Sequence, residues 1–319
     1  MLSPDFAARM AAVDSPAITL EAPLLGTGFT GVDTHGHVFT RTLRMAEGRR
    51  YTPVYDAPIS AYLAMLDGNG ISHGVLVQPS FLGTDNRYLL RALRQTPERL
   101  RGVAVLPLGI PTEELAILDS IGVVGVRFNL IGLPDPSFAH AEVQAHLRRL
   151  AELGWLVELQ VEAPRLPCIM PALLRAGVRV LVDHFGRPDR TLGVNCTGFR
   201  YLLTLGGTRC VWVKLSGAYR NGTAKPGGHV AASAALHLLD TFGSDRLVWG
   251  SDWPHTGYEQ LGRPDAARLA LHHWVPTGSD RLAVLVDTPR ALFRFGAKAG
   301  KDHQQSITQT ANLPGERNA

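Results

Sequence analysis

The chain has 319 residues, 45% of them hydrophobic and 19% charged, which is too apolar for a disordered protein and long enough for one large core or two ordinary ones. Thirty-two basic residues against 28 acidic leave a net charge of +4 with no run of five or six like charges, so nucleic acid has no footprint here. No stretch of eighteen apolar residues exists to span a membrane.

In chain order, an N-terminal arm over 1–28 comes first; it carries Asp5, Asp14 and Glu21 without a basic start and does not read as a signal peptide. Eight short apolar runs follow, at 31–35, 74–79, 101–107, 123–128, 156–161, 178–184, 211–215 and 247–250. Each is continuous rather than alternating, which is how a strand buried on both faces reads. Helical patterns fall at 59–69, 87–96, 113–121, 141–153, 167–176, 198–205, 229–241, 263–274 and 280–295. Gly154 and Gly177 stand at two of their ends, where a left-handed residue closes a helix. An unbroken βα series of this length predicts an α/β fold, a (β/α)8 TIM barrel over 29–300, in preference to a doubly wound sheet. A tail over 301–319, rich in Gln, Asn, Thr and Lys, is expected to be disordered. Three cysteines with no CxxC pair argue against a disulfide scaffold and make the cytoplasm the default compartment.

Two motifs are decoys. Gly26-Thr-Gly-Phe-Thr-Gly31 matches GxGxxG, but a β-type run follows it where a dinucleotide site needs a helix N-terminus. Gly70-Ile-Ser-His-Gly74 matches GxSxG, yet Ser72 lies after a helix and before a strand, the reverse of a nucleophile elbow.

Barrel active sites gather at the C-terminal ends of strands. The first strand delivers His35 and His37, whose i, i+2 spacing points both the same way; the sixth delivers His184 and the eighth Asp252. Three histidines and an aspartate on one rim can ligate a divalent metal or arrange a water. Arg127, Arg187 and Arg220 make that rim basic and suited to an anionic substrate, such as a di-acid. Ser80, Thr84, Asp85 and Asn86 offer hydroxyls and amides after the second strand, with helix N-capping as the competing role for Asp85 and Asn86.

The HxH of the first strand, the late Ser251-Asp252-Trp253-Pro254-His255 and the eight-fold order resemble the amidohydrolase superfamily, in its amidohydrolase-2 branch. Within that branch, Tyr51-Thr-Pro, Val77-Gln-Pro-Ser80 with Gly83-Thr-Asp-Asn86, His184-Phe-Gly-Arg187 and Lys214-Leu-Ser-Gly217 are similar to the 2-pyrone-4,6-dicarboxylate lactonase group, over residues 31–295. The resemblance implies hydrolysis of a small carboxylated lactone. Asp252 would act as general base and then acid, and His35, His37 and His184 would polarise the carbonyl. Arg127, Arg187 and Arg220 would hold carboxylates, with Tyr51, Ser80, Thr84, Gln160 and His255 on the substrate side. Two departures stand out. The lactonase group carries a tyrosine after strand five and a second arginine soon after strand four, where this chain has Gln160 and Leu133, which leaves the particular lactone open. The bridging lysine or strand-five histidine of the two-metal members is also missing, at Asn129 and Gln160. The implied cofactor is therefore none, or a single divalent ion, zinc by preference, on His35, His37, His184 and Asp252. A metal-dependent decarboxylase of an aromatic or muconate-type acid is the alternative, and a non-catalytic binding barrel a third reading. A homo-oligomer is left open.

Overall fold

The computed structural model describes residues 28–222 and 229–296. Its strands are β1 Val32–Gly36, β2 His73–Val77, β3 Leu100–Ala104, β4 Val123–Asn129, β5 Leu156–Gln160, β6 Arg179–Val182, β7 Val211–Leu215 and β8 Leu247–Trp249. They pair in parallel and in chain order, giving the expected (β/α)8 barrel. The helices between them are α1 Ile59–Gly68, α2 Arg87–Gln95, α3 Thr112–Ile121, α4 Ala141–Glu152, α5 Leu166–Arg175, α6 Thr197–Thr204, α7 His229–Phe242 and α8 Pro264–Trp274. Most of the expected arm and all of the expected tail lie outside the described residues. The three cysteines are free.

Alternate strand positions face the barrel axis and change character from bottom to top. Val32, Val75, Val103, Val124, Leu156, Leu181, Trp212 and Val248 fill the bottom as one apolar layer, sealed by Leu292, Phe293 and Phe295. Two positions further along come Glu158 on β5 and Lys214 on β7, both fully buried. The outer core lies between the strands and helices, around Tyr62, Leu93, Leu147, Trp155, Phe199 and Trp249.

The single C-terminal helix read over 280–295 is in fact broken. A π turn, Ala283–Asp287, separates Gly278–Leu282 from Thr288–Leu292. Pro289, with no N–H to continue the ladder, stands where the regular pattern fails.

The ring closes between β1 and β8 largely through side chains. Thr34 Oγ1 donates to the Trp249 carbonyl at 2.7 Å, and His37 N to the Trp253 carbonyl at 2.8 Å. The Asp33 carboxylate accepts from Ser251 N at 2.8 Å, Ser251 Oγ at 2.6 Å and Tyr62 OH at 3.1 Å. Burial nevertheless pushes the Asp33 carboxyl up to about 6. Tyr62 reaches it only because Gly36 and Gly74 carry no side chain: a Cβ on either would lie 2.3 Å or 2.5 Å from its ring or hydroxyl. Both decoys resolve structurally. Ser72 Oγ accepts from Thr30 N at 2.9 Å at the foot of β2, and Gly31 leads into β1.

Candidate active site

The strand C-termini and the loops after them build the site. On β1 the register slips between Asp33 and Gly36, a bulge that re-aims the strand end carrying His35. The His35 and His37 rings stand edge to face with centroids 4.9 Å apart. After β6, His184, Phe185 and Arg187 all take positive φ, and after β8 so do Asp252 and His255. Non-glycine residues in this region cost on the order of 1–3 kcal/mol each, and only Arg209 and Arg294 share it elsewhere among the described residues. Backbone strain is thus concentrated on the loops that hold the expected site residues.

Asp252 is the centre of the arrangement. Its Oδ2 accepts from Tyr219 OH at 2.6 Å and Arg220 Nε at 2.5 Å, while Oδ1 lies 3.2 Å from Arg220 Nη2 and 3.7 Å from His35 Nε2. Burial alone would raise its carboxyl, but Arg220, by its charge and its hydrogen bonds, holds it well below the usual carboxylate range. The histidines are pushed the other way. Burial, aided by nearby cations, lowers His35 well below its ordinary value, His37 to about 4, His184 to about 3 and His255 to about 4. At neutral pH this is an ionised carboxylate among neutral imidazoles.

Their partners set their tautomers. His37 Nδ1 faces the Val77 carbonyl at 2.7 Å and so carries the proton, leaving its Nε2 lone pair free. His184 Nδ1 meets Ser216 Oγ at 2.8 Å. His35 Nδ1 lies 2.9 Å from Lys214 Nζ; an ammonium only donates, so the His35 proton sits on Nε2, directed toward Asp252. The Nε2 atoms of His35, His184 and His255 are buried without a hydrogen-bond partner.

Below lies a closed charge cluster that the sequence reading did not assemble. Lys214 Nζ is 2.6 Å from Glu158 and 3.2 Å from Asp183, and Arg127 is 3.4 Å from Glu158 and 3.1 Å from Asp183. Arg127 also donates to Gln160 Oε1 at 2.5 Å. Burial, reinforced by Asp183, raises Glu158 to about 7, whereas Lys214 outweighs burial and holds Asp183 well below its ordinary value. A charged residue inside an otherwise apolar strand was the available signal for Glu158 and Lys214.

Two groups have the donors and spacing for a cation: His35, His184 and Asp252, and His35, Glu158 and Asp183. The second is already filled, because Lys214 Nζ sits among its three donors. The first fits one divalent ion, with two orphaned imidazole nitrogens beside a carboxylate. Ligation by His35 Nε2 would require its proton to move to Nδ1, where Lys214 now donates. His37 stands outside both groups.

Above Asp252 opens a cavity of about 340 Å³. Its walls include the expected Tyr51, Ser80, Arg127, Gln160, Arg187 and Arg220, with Asn129, noted only for the metal ligand it does not supply, and also Arg50 and Tyr258, which had not been singled out. His37 also lines it, whereas Asp252, His35, His184, Thr84 and His255 do not. Thr84 is exposed and lends its carbonyl to Asn86 at 3.0 Å; His255 is buried behind Tyr219 OH at 3.0 Å. Asp85 pairs with Arg87 at 2.6 Å, and Asn86 ties the α2 start to Val105 at 2.9 Å without capping the helix through its side chain. Tyr219 is the other missed residue, in direct contact with Asp252.

The chain belongs to the amidohydrolase family, whose model matches residues 32–295. It is 36% identical over 273 residues to the 4-sulfomuconolactone hydrolase of Rhizobium radiobacter, covering 82% of this chain and 89% of that one. It is 33% identical over 274 residues to the 2-pyrone-4,6-dicarboxylate hydrolase of Comamonas testosteroni, with coverage of 82% and 89%. Among solved structures, a protein of Acinetobacter baumannii assigned as a 2-pyrone-4,6-dicarboxylic acid hydrolase, with citric acid bound, is 37% identical with a TM-score of 0.80, covering 83% of this chain and 99% of that one. A 2,6-dihydroxybenzoate decarboxylase matches at 15% identity and a TM-score of 0.59, a likeness of fold alone. No helix of the described residues is long and apolar enough to cross a membrane.

Proposed function

We propose that this enzyme hydrolyses the ring ester of a small lactone bearing anionic groups. One observation carries the reading: an ionised, buried Asp252 lies beside the orphaned Nε2 atoms of His35 and His184, beneath a cavity walled by four arginines. The relatives named for sulfonated and dicarboxylated lactones, and the relative holding citric acid, support an anionic substrate.

In this reading Asp252 takes a proton from water as it attacks the ring carbonyl. The oxyanion that develops accepts from His35 Nε2–H, whose tautomer Lys214 fixes, and His184 stands beside it as a second polarising imidazole. The tetrahedral intermediate then collapses, the C–O bond of the ring breaks, and Asp252 returns its proton to the departing oxygen. Arg220 and Tyr219 hold the carboxylate in place throughout. A single divalent ion, zinc by donor type, would be held by His35, His184 and Asp252 and would supply Lewis-acid polarisation of the carbonyl. The same protein chemistry also operates with no cofactor, the imidazoles taking that role.

The test is acid release, followed with a pH indicator, across neutral, monocarboxylated, dicarboxylated and sulfonated lactones. Turnover confined to the anionic members is expected. Silence across the whole panel overturns the reading, and carbon dioxide release from an aromatic acid would replace it with decarboxylation.

A further inference from the structure

The four cavity arginines fall into two classes. Arg127 is spent on Glu158 and Asp183, and Arg220 on Asp252. Arg187 and Arg50 have no carboxylate within ion-pair distance among the described residues. Arg187 is half-buried, and Arg50 makes one side-chain hydrogen bond, to the neutral Asn129 Oδ1 at 3.1 Å. Their surroundings are short of negative charge. Partial burial and Arg127 lower the Arg50 guanidinium, and burial and Arg220 lower that of Arg187. Glu162, the carboxylate that acts on both, is itself paired with Arg165 at 2.9 Å.

Arg50 is also held in place. It belongs to the loop 40–56, whose neck is closed by two backbone hydrogen bonds between Phe39 and Ala57, both 2.9 Å. The next residue, Tyr51, bonds Glu259 on the loop after β8, as does Tyr55 at 3.1 Å. Phe81 packs on Phe39 and Tyr51, and its carbonyl accepts from Ala46 N at 2.8 Å. These contacts hold the backbone of residue 50 beside the cavity, and the bond to Asn129 Oδ1 turns its guanidinium toward it.

We propose that Arg50 is a specificity-determining residue: it binds one anionic group of the substrate at the cavity mouth while Arg187 binds another, so that the enzyme selects doubly anionic lactones. The chemistry is one unmatched guanidinium per carboxylate or sulfonate. The inference rests on the lactonase reading for its substrate, and on the charge pairing for its site.

The experiment compares wild type with Arg50→Met and Arg50→Lys on 2-pyrone-4,6-dicarboxylate and on the two monocarboxylates, 2-pyrone-4-carboxylate and 2-pyrone-6-carboxylate, each lacking one anionic group. Arg50→Met is expected to raise KM for the dicarboxylate about tenfold or more with kcat nearly unchanged, and to leave within about twofold the monocarboxylate that lacks the group Arg50 binds; Arg50→Lys should recover part of the loss. Equal effects on all three lactones, or none on any, overturn the proposal. Should wild type hydrolyse neither, calorimetric titration with citrate decides it separately. Binding weakened about tenfold by Arg50→Met keeps the anion subsite and sinks only the lactonase reading. Equal citrate affinity in the two proteins, or binding by neither, overturns the subsite.

Discussion

Below Asp252, the buried Glu158 and Asp183 meet Lys214 and Arg127, and each charge has its opposite within 3.4 Å. Above it, Arg50 and Arg187 face an open cavity of about 340 Å³ with no carboxylate to meet. Both regions use arginine, to opposite ends. The matched floor fixes the position and tautomer of His35; the unmatched mouth leaves positive charge for a visitor. An arginine at a strand end is therefore not by itself a substrate ligand. Arg127 and Arg187 look equivalent in sequence, and their partners separate them.

Three measurements bear on that contrast. The largest effect is expected at the junction of the two regions. Asp252→Asn should lower kcat by about 10³ or more while moving the thermal midpoint by no more than about 5 °C, since the amide can still accept from Arg220 and Tyr219. More than about a tenth of the wild-type rate would remove Asp252 as the base.

The floor itself should respond in stability. Lys214→Met leaves Glu158 and Asp183 facing each other, and denaturant unfolding should show a loss of about 3–5 kcal/mol, partly restored by adding Glu158→Gln. Arg50→Met, at the mouth, should cost less than about 0.5 kcal/mol. Similar losses for both would erase the distinction between matched and unmatched charge.

The smallest effect is a slope with pH. His37, His184 and His255 have folded values near 4, 3 and 4, below the ordinary 6.5, so the unfolded chain binds their protons first and stability falls as pH drops below 6.5. Asp33 and Glu158, raised to about 6 and about 7, work against this, because their protonation favours the folded state. Three protons against two leave a net loss of at least about 1.4 kcal/mol per pH unit between about pH 6 and 5, to which His35 and the half-buried His73, lowered to about 4, add in the same direction. A thermal midpoint that stays flat or rises on acidification through this range contradicts the buried, neutral histidines.

Most of the barrel was legible because its strands are continuous apolar runs at even spacing, and the rim because His35, His37, His184 and Asp252 each stand at the end of such a run or within two residues of it. The floor was harder to see. Leu156-Val-Glu-Leu-Gln160 and Val211-Trp-Val-Lys-Leu215 read as apolar strands, and Glu158 finds Lys214 only across 56 positions of chain. Arg50 lies in a loop with no period to mark it, and its importance comes from a partner it lacks. The break before Pro289 was open to view, since a proline so deep in a helical pattern rarely leaves it regular.

The seam held by Asp33 has a consequence for how the molecule comes into being. Asp33 and Ser251 are 218 positions apart, and the residues on either side of their contact, His35 and Asp252, are two members of the proposed reacting group. Neither half of the chain can assemble that pair, and no intermediate with an open ring contains it. Closing so long a loop carries an entropic cost that no local contact of the chain does. Activity in this architecture is thus a certificate that synthesis reached its last strand and that the two ends found each other. A truncated or half-closed copy has no partial catalysis to offer.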